Sequence, residues 1–222
     1  MPVVAKPRRR CGSCPPEQEA INLMSNPKPR SIEHPMTRVD IPTGIAFDEF
    51  RRAFEQAAPA FDANAIRELT DRGGTWDDVK QVMAAKAPHE LLIYATIDAT
   101  PLFSVAGYTT RAVEYLLGNH VIAETMFRHD PKVLLYAPLR ILIHSDAAGQ
   151  AVFSIDRPSS AFGSLGIPEV SAVGISLDQK VAALLRAIGV HTGEALTHQA
   201  QLQAAETGVD VADASHTVGK GI

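Results

Sequence analysis

Two strand-like segments joined by a short turn constrain the fold of this 222-residue chain more than any other feature. The segments are Leu139–Ser145 and Ala151–Asp156, and Gly149 between them can adopt the positive φ that a short hairpin loop requires. Side chains alternate between the two faces of a strand, so one face of the first segment is apolar and is expected to face a core. The other face carries Arg140, Leu142 and His144. The pattern predicts an antiparallel hairpin with a core side and a partly polar side.

Further apolar runs and helical periodicities surround this hairpin. Residues 91–97 and 113–117 are short runs of β-forming residues that predict two more strands. Apolar residues recur at helical spacing in four segments: 47–58, 62–69, 75–83 and 177–188. Asp62 and Thr75 are suited to N-cap two of these helices, and no helix is predicted in the Gly-, Ser- and Pro-rich residues 158–176. The sequence therefore predicts an α/β (α+β-like) fold, in which helices cover an antiparallel-containing sheet and an N-terminal helical extension precedes it.

Composition divides the chain into a tail, a domain and a second tail. Residues 1–38 hold seven Lys and Arg against three Glu, together with seven prolines, and they have few large apolar groups to bury. We therefore expect a disordered basic tail. Residues 40–190 are predicted to form a single α/β domain, with a helical part at 40–88 and a sheet-containing part at 89–190. A C-terminal helix and a polar tail are predicted for residues 191–222.

Charge and hydropathy indicate which kinds of partner and which cellular location to expect. The residues after the basic tail carry 14 Lys and Arg against 22 Asp and Glu, a formal charge of −8, which argues against nucleic acid as the main partner. No apolar run approaches the roughly 20 residues that span a bilayer. The arginines at 8–10 are not followed by the apolar segment of a secretory signal. We therefore expect no membrane association and a cytoplasmic location.

The two cysteines, Cys11 and Cys14, form a C-x-x-C pair in the basic tail. A structural zinc site needs four ligands, but the chain has no second cysteine pair, and His34 is the only nearby further ligand. A redox dithiol of the thioredoxin type follows a strand and begins a helix, whereas this pair lies in a proline-rich tail. We therefore favour an exposed thiol pair that does not shape the fold.

The polar chemistry of the chain is concentrated after the Gly118-Asn119-His120 turn, which lies between a predicted strand and a predicted helix. Asn119 is suited to N-cap that helix. The backbone N–H groups of residues 120–122, together with the helix dipole, would then attract an anion. His120 and Arg140 are further donors if the hairpin lies alongside. The first functional hypothesis is a protein that binds a small anionic or cofactor-like ligand through Gly118, Asn119, His120 and Arg140.

Two other classes of function are open. His120 and Glu124 lie four residues apart on the predicted helix and, with His144 from the neighbouring strand, would supply three metal ligands. His120 or His144 would be the axial ligand if the cofactor were haem. An enzyme with a histidine base would use His144 and Asp156 as a pair across the hairpin. The third class is a protein-interaction module that uses the basic N-terminal tail. The residues alone identify neither a cofactor nor a reaction.

Several short motifs together resemble a known family: Gly118-Asn119, Asp130-Pro131, Leu135-Tyr-Ala-Pro-Leu-Arg140, Gly149 and Asp156-Arg-Pro-Ser159. They are similar to the C-terminal part of the bacterial and archaeal family called domain of unknown function 302, over residues 90–160. The chain departs from the family pattern at His120, where proline is common, and at Ile155-Asp156, where a tyrosine is common. The resemblance implies a small α/β fold that forms dimers, so we expect a homodimer through the sheet or the hairpin. It implies no activity.

Overall fold

A five-stranded antiparallel sheet is the framework of this protein in the computed structural model, which describes residues 28–196. The strands are β1 (Arg38–Ala46), β2 (Leu92–Asp98), β3 (Ala112–Gly118), β4 (Leu139–Ser145) and β5 (Gln150–Asp156). Their order across the sheet is β1-β5-β4-β3-β2, and each neighbouring pair runs antiparallel. Strands β2 to β5 thus form a meander, and β1 is added beside β5.

Helices connect and cover the strands. They are α1 (Phe47–Ala57), α2 (Ala63–Asp71), α3 (Trp76–Lys86), α4 (Thr100–Val105), α5 (His120–Phe127), α6 (Pro158–Gly163) and α7 (Pro168–Ala187), and a 3-10 helix spans Pro131–Leu135. Two predicted caps are confirmed: the Asp62 side chain accepts the Ala65 N–H at 3.1 Å, and Thr75 forms a capping box with Asp78. The α/β (α+β-like) fold predicted from the sequence is likewise confirmed.

The first strand is the largest departure from the sequence analysis, which predicted only helices in residues 40–88. β1 pairs with β5, and Ile41 lies opposite Phe153. Its sequence pattern is weak because only Val39 and Ile41 are buried before Pro42 begins a register shift. The start of the predicted helical extension is therefore an edge strand of the sheet.

The predicted hairpin is confirmed as β4 and β5. Ile141 lies opposite Ile155, and Gly149 in the connecting turn has a φ of +78°. The two faces of β4 are also as the alternation predicts. Leu139, Ile141 and Ile143 are buried, and Arg140, Leu142 and His144 lie on the other face.

Most of residues 158–176 are helical, contrary to the sequence analysis. The segment contains α6 and the first half of α7, which begins at Pro168, a residue suited to the first helical turn. Gly174 explains why the composition misleads: a Cβ there would lie 3.0 Å from the Cβ of Phe162. The small residue allows α6 and α7 to pack closely, so glycine here marks a helix contact rather than a loop. The predicted end of the helix over residues 177–188 is confirmed at Gly189, which has a φ of +82°.

The main core lies between the sheet and the helices α1 and α7. Phe54 of α1 packs edge-on against Tyr115, with 5.2 Å between the ring centroids, and lies 6.0 Å from the ring of Phe153. The Tyr115 hydroxyl donates to Oε1 of Glu55 at 2.7 Å, which satisfies the polar group of this buried ring. A second, smaller core joins α2 and α3 to β2 and includes Leu69, Met83 and Leu92.

Some predictions concern residues that the structure does not describe. The disordered tail, the Cys11–Cys14 pair and the C-terminal polar helix fall wholly or mainly on residues 1–27 and 197–222, outside the described residues. Residues 28–37 contain no helix or strand. None of the helices within residues 28–196 combines the length and the apolar character needed to cross a membrane.

Candidate functional site

The Gly118-Asn119-His120 turn links β3 to α5, as the sequence predicts. Asn119 is the N-cap: its Oδ1 accepts the Val121 N–H at 2.8 Å, and its side-chain amide donates to the carbonyl oxygen of Glu90 at 2.8 Å. The second hydrogen bond ties the turn to the segment that precedes β2. The predicted N-cap is therefore confirmed, and one side chain holds the turn to two parts of the chain.

Gly118 permits a close approach at the end of β3. A Cβ at this position would lie 3.3 Å from the Cβ of Pro138 and 3.5 Å from the ring of Tyr94. The first distance is shorter than an ordinary van der Waals contact, so a larger residue would have to displace Pro138. Glycine thus allows the end of β3 to pack closely against Pro138 and Tyr94.

Three rings meet beside the turn. Phe61, from the loop before α2, stacks on Tyr94 of β2 with 4.4 Å between the centroids and 20° between the planes. The His120 ring packs edge-on against each of them at 4.9 Å. The backbone N–H of His120 also donates to the Tyr94 hydroxyl at 3.1 Å. The imidazole therefore packs against the stacked pair of Phe61 and Tyr94, which come from different parts of the sequence.

Burial shifts the pKa values of both His120 and Tyr94. It lowers the pKa of His120 below the usual value of 6.5, because loss of water disfavours the charged imidazolium. It raises the pKa of Tyr94 to about 12, an effect that the hydrogen bond from the His120 amide partly opposes. At neutral pH the His120 ring is uncharged, so one of its nitrogens can donate a hydrogen bond and the other can accept one.

A pocket of about 130 Å³ opens beside the turn, and His120 and the half-buried Asn119 supply polar groups to it. The rest of its lining is mainly apolar and includes Leu117, Ile122, Met126, Leu139, Phe162 and Leu177. For comparison, an apolar cavity of about 150 Å³ in another protein holds benzene. The pocket therefore has room for one aromatic ring or a short branched alkyl group.

The anion niche predicted at the start of α5 is largely filled by the protein itself. The Val121 N–H donates to Asn119, as the predicted cap requires, but the His120 N–H, which was expected to be free, donates to Tyr94. The prediction of a free N–H at His120 is wrong, because β2 brings the Tyr94 hydroxyl to the turn. The turn offers an apolar space with an uncharged imidazole more than a cluster of anion donors.

Arg140 lies away from the turn. The pocket includes Leu117 and Leu139 from the core side of the sheet, whereas Arg140 lies opposite Leu116 and is exposed on the other side. Its Nε forms an ion pair of 3.2 Å with Glu114. The prediction that Arg140 assists the turn is wrong, because successive residues of a strand point to opposite faces.

The three predicted metal ligands are not brought together. His144 lies opposite Ala112 at the start of β3, whereas His120 follows the end of β3, so their positions are roughly 17 Å or more apart along the strand. Oε2 of Glu124 pairs with Nη2 of Arg128 at 2.5 Å. Among residues 28–196 no group of three or more His, Cys, Asp or Glu side chains could hold a metal ion. The proposed metal site at these residues is therefore wrong.

His144 and Asp156 share the open face of the sheet but do not pair across the hairpin. His144 lies opposite Val152, four residues before Asp156, which separates the two positions by roughly 13 Å. Asp156 instead lies 3.9 Å from Nε of Arg38. Both residues line a broad groove of about 620 Å³, but the predicted base and carboxylate pair is not formed.

Phe61, Tyr94 and Phe162 belong to the site but are not predictable as site residues from the local sequence. Tyr94 lies inside the predicted strand 91–97, but nothing local connects it to His120, which follows 26 residues later. Phe162 lies in α6, where no helix was predicted. Three long-range contacts bring these rings to the turn: the pairing of β2 with β3, the hydrogen bond from the Phe61 N–H to the carbonyl oxygen of Ile93, and the packing of α6 on the core.

Comparisons with known proteins give a family but no activity. The family model "Domain of unknown function DUF302" matches residues 73–188, which contain the stretch of residues 90–160 identified from the sequence motifs. A similar solved structure is the "Crystal structure of uncharacterized conserved protein DUF302 from Bacillus stearothermophilus". It is 15% identical in sequence, with a TM-score of 0.46, and the alignment covers 68% of this chain and 95% of that chain. No curated protein matches this chain.

Proposed function

This chain belongs to the DUF302 family, a family of unknown function, and we propose that it binds a small, mainly apolar molecule in the pocket beside the Gly118-Asn119-His120 turn. The observation that carries the proposal is the imidazole of His120, packed against two aromatic rings at the edge of a mainly apolar pocket. The His120 ring would make the polar contact, and the volume limits the buried part of the ligand to about one ring.

The polar group that we propose for the ligand is neutral, whereas the sequence predicted an anionic group. Two backbone N–H groups of the turn already have acceptors within the protein, so an anion would gain little from the helix N-terminus. A neutral hydroxyl or carbonyl group can instead pair with the His120 ring. We therefore propose a ligand with an apolar body and one neutral polar group.

Amide NMR spectra of the labelled protein during separate titrations with p-cresol and inorganic phosphate test this proposal. We expect p-cresol to shift the amides of residues 117–126 at millimolar concentration and phosphate to leave them unchanged. In Ala123→Leu a larger side chain fills the pocket, so the p-cresol shifts should disappear. Ala183→Leu makes the same change at an exposed position of α7 and should bind p-cresol like the wild type.

Each other result of the titration is also decisive. Shifts with phosphate alone would favour the anion niche over the apolar pocket. Shifts that persist in Ala123→Leu would place p-cresol elsewhere, and no shifts with either probe would contradict small-ligand binding at this turn.

A histidine-dependent reaction on the bound molecule is a second proposal, favoured by the position of His120 in the lining of the pocket, where a neutral imidazole can accept a proton from the ligand. It replaces the His144–Asp156 pair as the site of such chemistry. The test uses acetophenone, a ketone with a methyl group next to its carbonyl. The measurement is the rate of deuterium exchange into that methyl group in the presence of the protein. Exchange that is faster with the wild type than with His120→Gln would support a base at His120, and equal rates would contradict it.

A homodimer and a cytoplasmic location are also proposals. The cytoplasmic location is based on the composition of the chain alone. The homodimer is supported by an exposed apolar surface on the connection between β2 and β3.

A further inference from the structure

The hydroxyl of Tyr94 has a proton that the fold does not use. Its oxygen accepts the backbone N–H of His120 at 3.1 Å. Within residues 28–196 the hydroxyl itself donates to no acceptor. Because a phenol can donate one hydrogen bond while it accepts another, this proton is available to a molecule bound beside the turn.

The hydroxyl end of the Tyr94 ring lies at the polar edge of the pocket. Tyr94 lines the pocket together with Gly118, Asn119 and His120. Cε2 of Tyr94, which is bonded to the carbon that carries the hydroxyl, lies 3.5 Å from the position that a Cβ at residue 118 would take. Stacking on Phe61, with 4.4 Å between the centroids, holds the ring there. The donor is therefore in place before a ligand binds, which lowers the entropy lost on binding.

The Tyr94 hydroxyl keeps its proton at neutral pH, since burial raises its pKa to about 12. The His120 N–H that donates to the oxygen also polarises the O–H bond, because hydrogen bonds in such a chain strengthen one another. Tyr94 therefore presents a donor to the pocket and favours a ligand whose polar group is an acceptor. The carbonyl oxygen of a ketone is such a group.

The His120 ring lies next to this donor. The centroids of the two rings are 4.9 Å apart, and their planes are inclined at 68°. A neutral imidazole has one nitrogen with a free lone pair, which can accept a proton. A ketone matches both residues, because its oxygen can accept from Tyr94 while a C–H bond on the neighbouring carbon faces the imidazole. In a ketone that C–H bond is the acidic one.

We infer that the ligand of this pocket is a small ketone and that Tyr94 is a catalytic residue, which stabilises the enolate formed when His120 removes a proton from the carbon next to the carbonyl. The electron pair of the broken C–H bond forms a C=C bond, and the π pair of the carbonyl moves to the oxygen. The hydrogen bond from Tyr94 strengthens as negative charge grows on this oxygen. Return of a proton from the imidazolium to the carbon regenerates the ketone, so no further reactant is needed.

This inference rests on the proposed pocket and on its histidine-dependent reaction, to which it adds a substrate class and a second residue. The first test compares acetophenone with α-methylstyrene, which has the same planar shape but a CH₂ group in place of the carbonyl oxygen. NMR titrations of the full chain give both dissociation constants. Tyr94→Phe should raise the dissociation constant of acetophenone about fivefold, the effect of one hydrogen bond, and leave that of α-methylstyrene unchanged. Equal changes for both molecules would indicate a displaced turn and would overturn the inference.

The second test is the maximal rate of deuterium exchange into the methyl group of acetophenone. We expect Tyr94→Phe to lower this rate by at least about tenfold, because the enolate oxygen loses its donor. Tyr108→Phe is the matched control, since its ring is 64% exposed and does not line the pocket. It should change neither the rate nor the dissociation constants. An unchanged rate in Tyr94→Phe would overturn the catalytic role.

Infrared spectra of the wild type give a third measurement that needs no variant. A hydrogen bond should lower the carbonyl stretching frequency of bound ¹³C-labelled acetophenone below its value in an apolar solvent, and an unshifted frequency would overturn the inference. Failure of the proposed function would look different, because acetophenone, α-methylstyrene and p-cresol would then all leave the amides of residues 117–126 unchanged. Binding of p-cresol and α-methylstyrene but not of acetophenone would overturn the ketone and the role of Tyr94 alone.

Discussion

The backbone N–H of His120 donates a hydrogen bond to the hydroxyl of Tyr94, while the rings of the same two residues pack edge-on at 4.9 Å. One residue of β2 thus satisfies the first amide of α5 and covers the side chain that follows the turn. A helix N-terminus ordinarily attracts anions through such amides. In this protein the Tyr94 hydroxyl already occupies the first of these amides, which is why we propose an uncharged, mainly apolar ligand instead.

Tyr94→Phe should separate these two roles of Tyr94. The ring contacts would remain, but the His120 N–H would lose its acceptor, so we expect the free energy of unfolding to fall by about 1 kcal/mol. The freed amide should also give the turn a weak affinity for inorganic phosphate that the wild type lacks. Urea denaturation and a phosphate titration followed by NMR measure the two effects. Tyr108→Phe, in an exposed ring, should change neither quantity, and equal effects of both variants would contradict the role of this hydrogen bond.

The stability of the protein should depend on pH through His120. Its pKa in the folded chain lies below the usual value of 6.5, so between these two values the unfolded chain binds more protons. The free energy of unfolding should therefore rise with pH across this window. The contribution of His120 is lost as the pH falls through it. Urea denaturation at several pH values should show a smaller slope for His120→Gln than for the wild type.

Phe61→Ala offers a check on the cause of that pH dependence. Removal of this ring admits water to the imidazole, so the pKa of His120, measured by NMR titration, should rise toward 6.5. An unchanged pKa in this variant would show that Phe61 does not shield the ring.

Asn119→Ala should destabilise the turn, because it removes both the helix cap and the hydrogen bond to Glu90. We expect a loss of about 1–2 kcal/mol in the free energy of unfolding. Asn119→Asp keeps the acceptor for the Val121 N–H but not the donor to Glu90, so its loss should be smaller. The control is Asn64→Ala at an exposed position of α2, with an expected change within about 0.5 kcal/mol. A loss as large for Asn64→Ala as for Asn119→Ala would contradict the cap.

Tyr115→Phe should lower the free energy of unfolding by about 2 kcal/mol, since its buried hydroxyl donates to a carboxylate that also pairs with Arg51 at 3.0 Å. Glu55→Gln keeps an acceptor for the hydroxyl and should have a smaller effect. Urea denaturation of both variants gives the comparison. A larger loss for Glu55→Gln than for Tyr115→Phe would show that the ion pair with Arg51, rather than the tyrosine, stabilises this contact.

Elements that depend on nearby residues were predictable from the sequence. The caps at Asp62, Thr75 and Asn119 involve residues two or three positions away, and the β4–β5 hairpin needs only alternation and Gly149. Their physical causes are contained within a short segment. These predictions were therefore correct in position as well as in type.

Contacts between distant segments were not predictable in the same way. β1 has few buried residues of its own and becomes a strand because β5 offers an edge, and the glycine at 174 reflects the proximity of α6. The hydrogen bonding of the turn differs from the prediction for a similar reason, since Tyr94 reaches the turn only when β2 pairs with β3. A sequence shows which donors exist but not which acceptors the fold brings to them.

The pairing of β1 with β5 also determines when this fold can be completed. The other neighbours in the sheet follow one another along the chain, whereas Oγ1 of Thr43 donates to the carbonyl oxygen of Ala151, 108 residues later. Loop closure over such a distance is entropically costly and slows folding. On the ribosome, β1 and the aromatic face of α1 emerge before β5, and Thr43 has no Ala151 to pair with until a further 108 residues have been made. During that time their burial depends on other contacts or on chaperones.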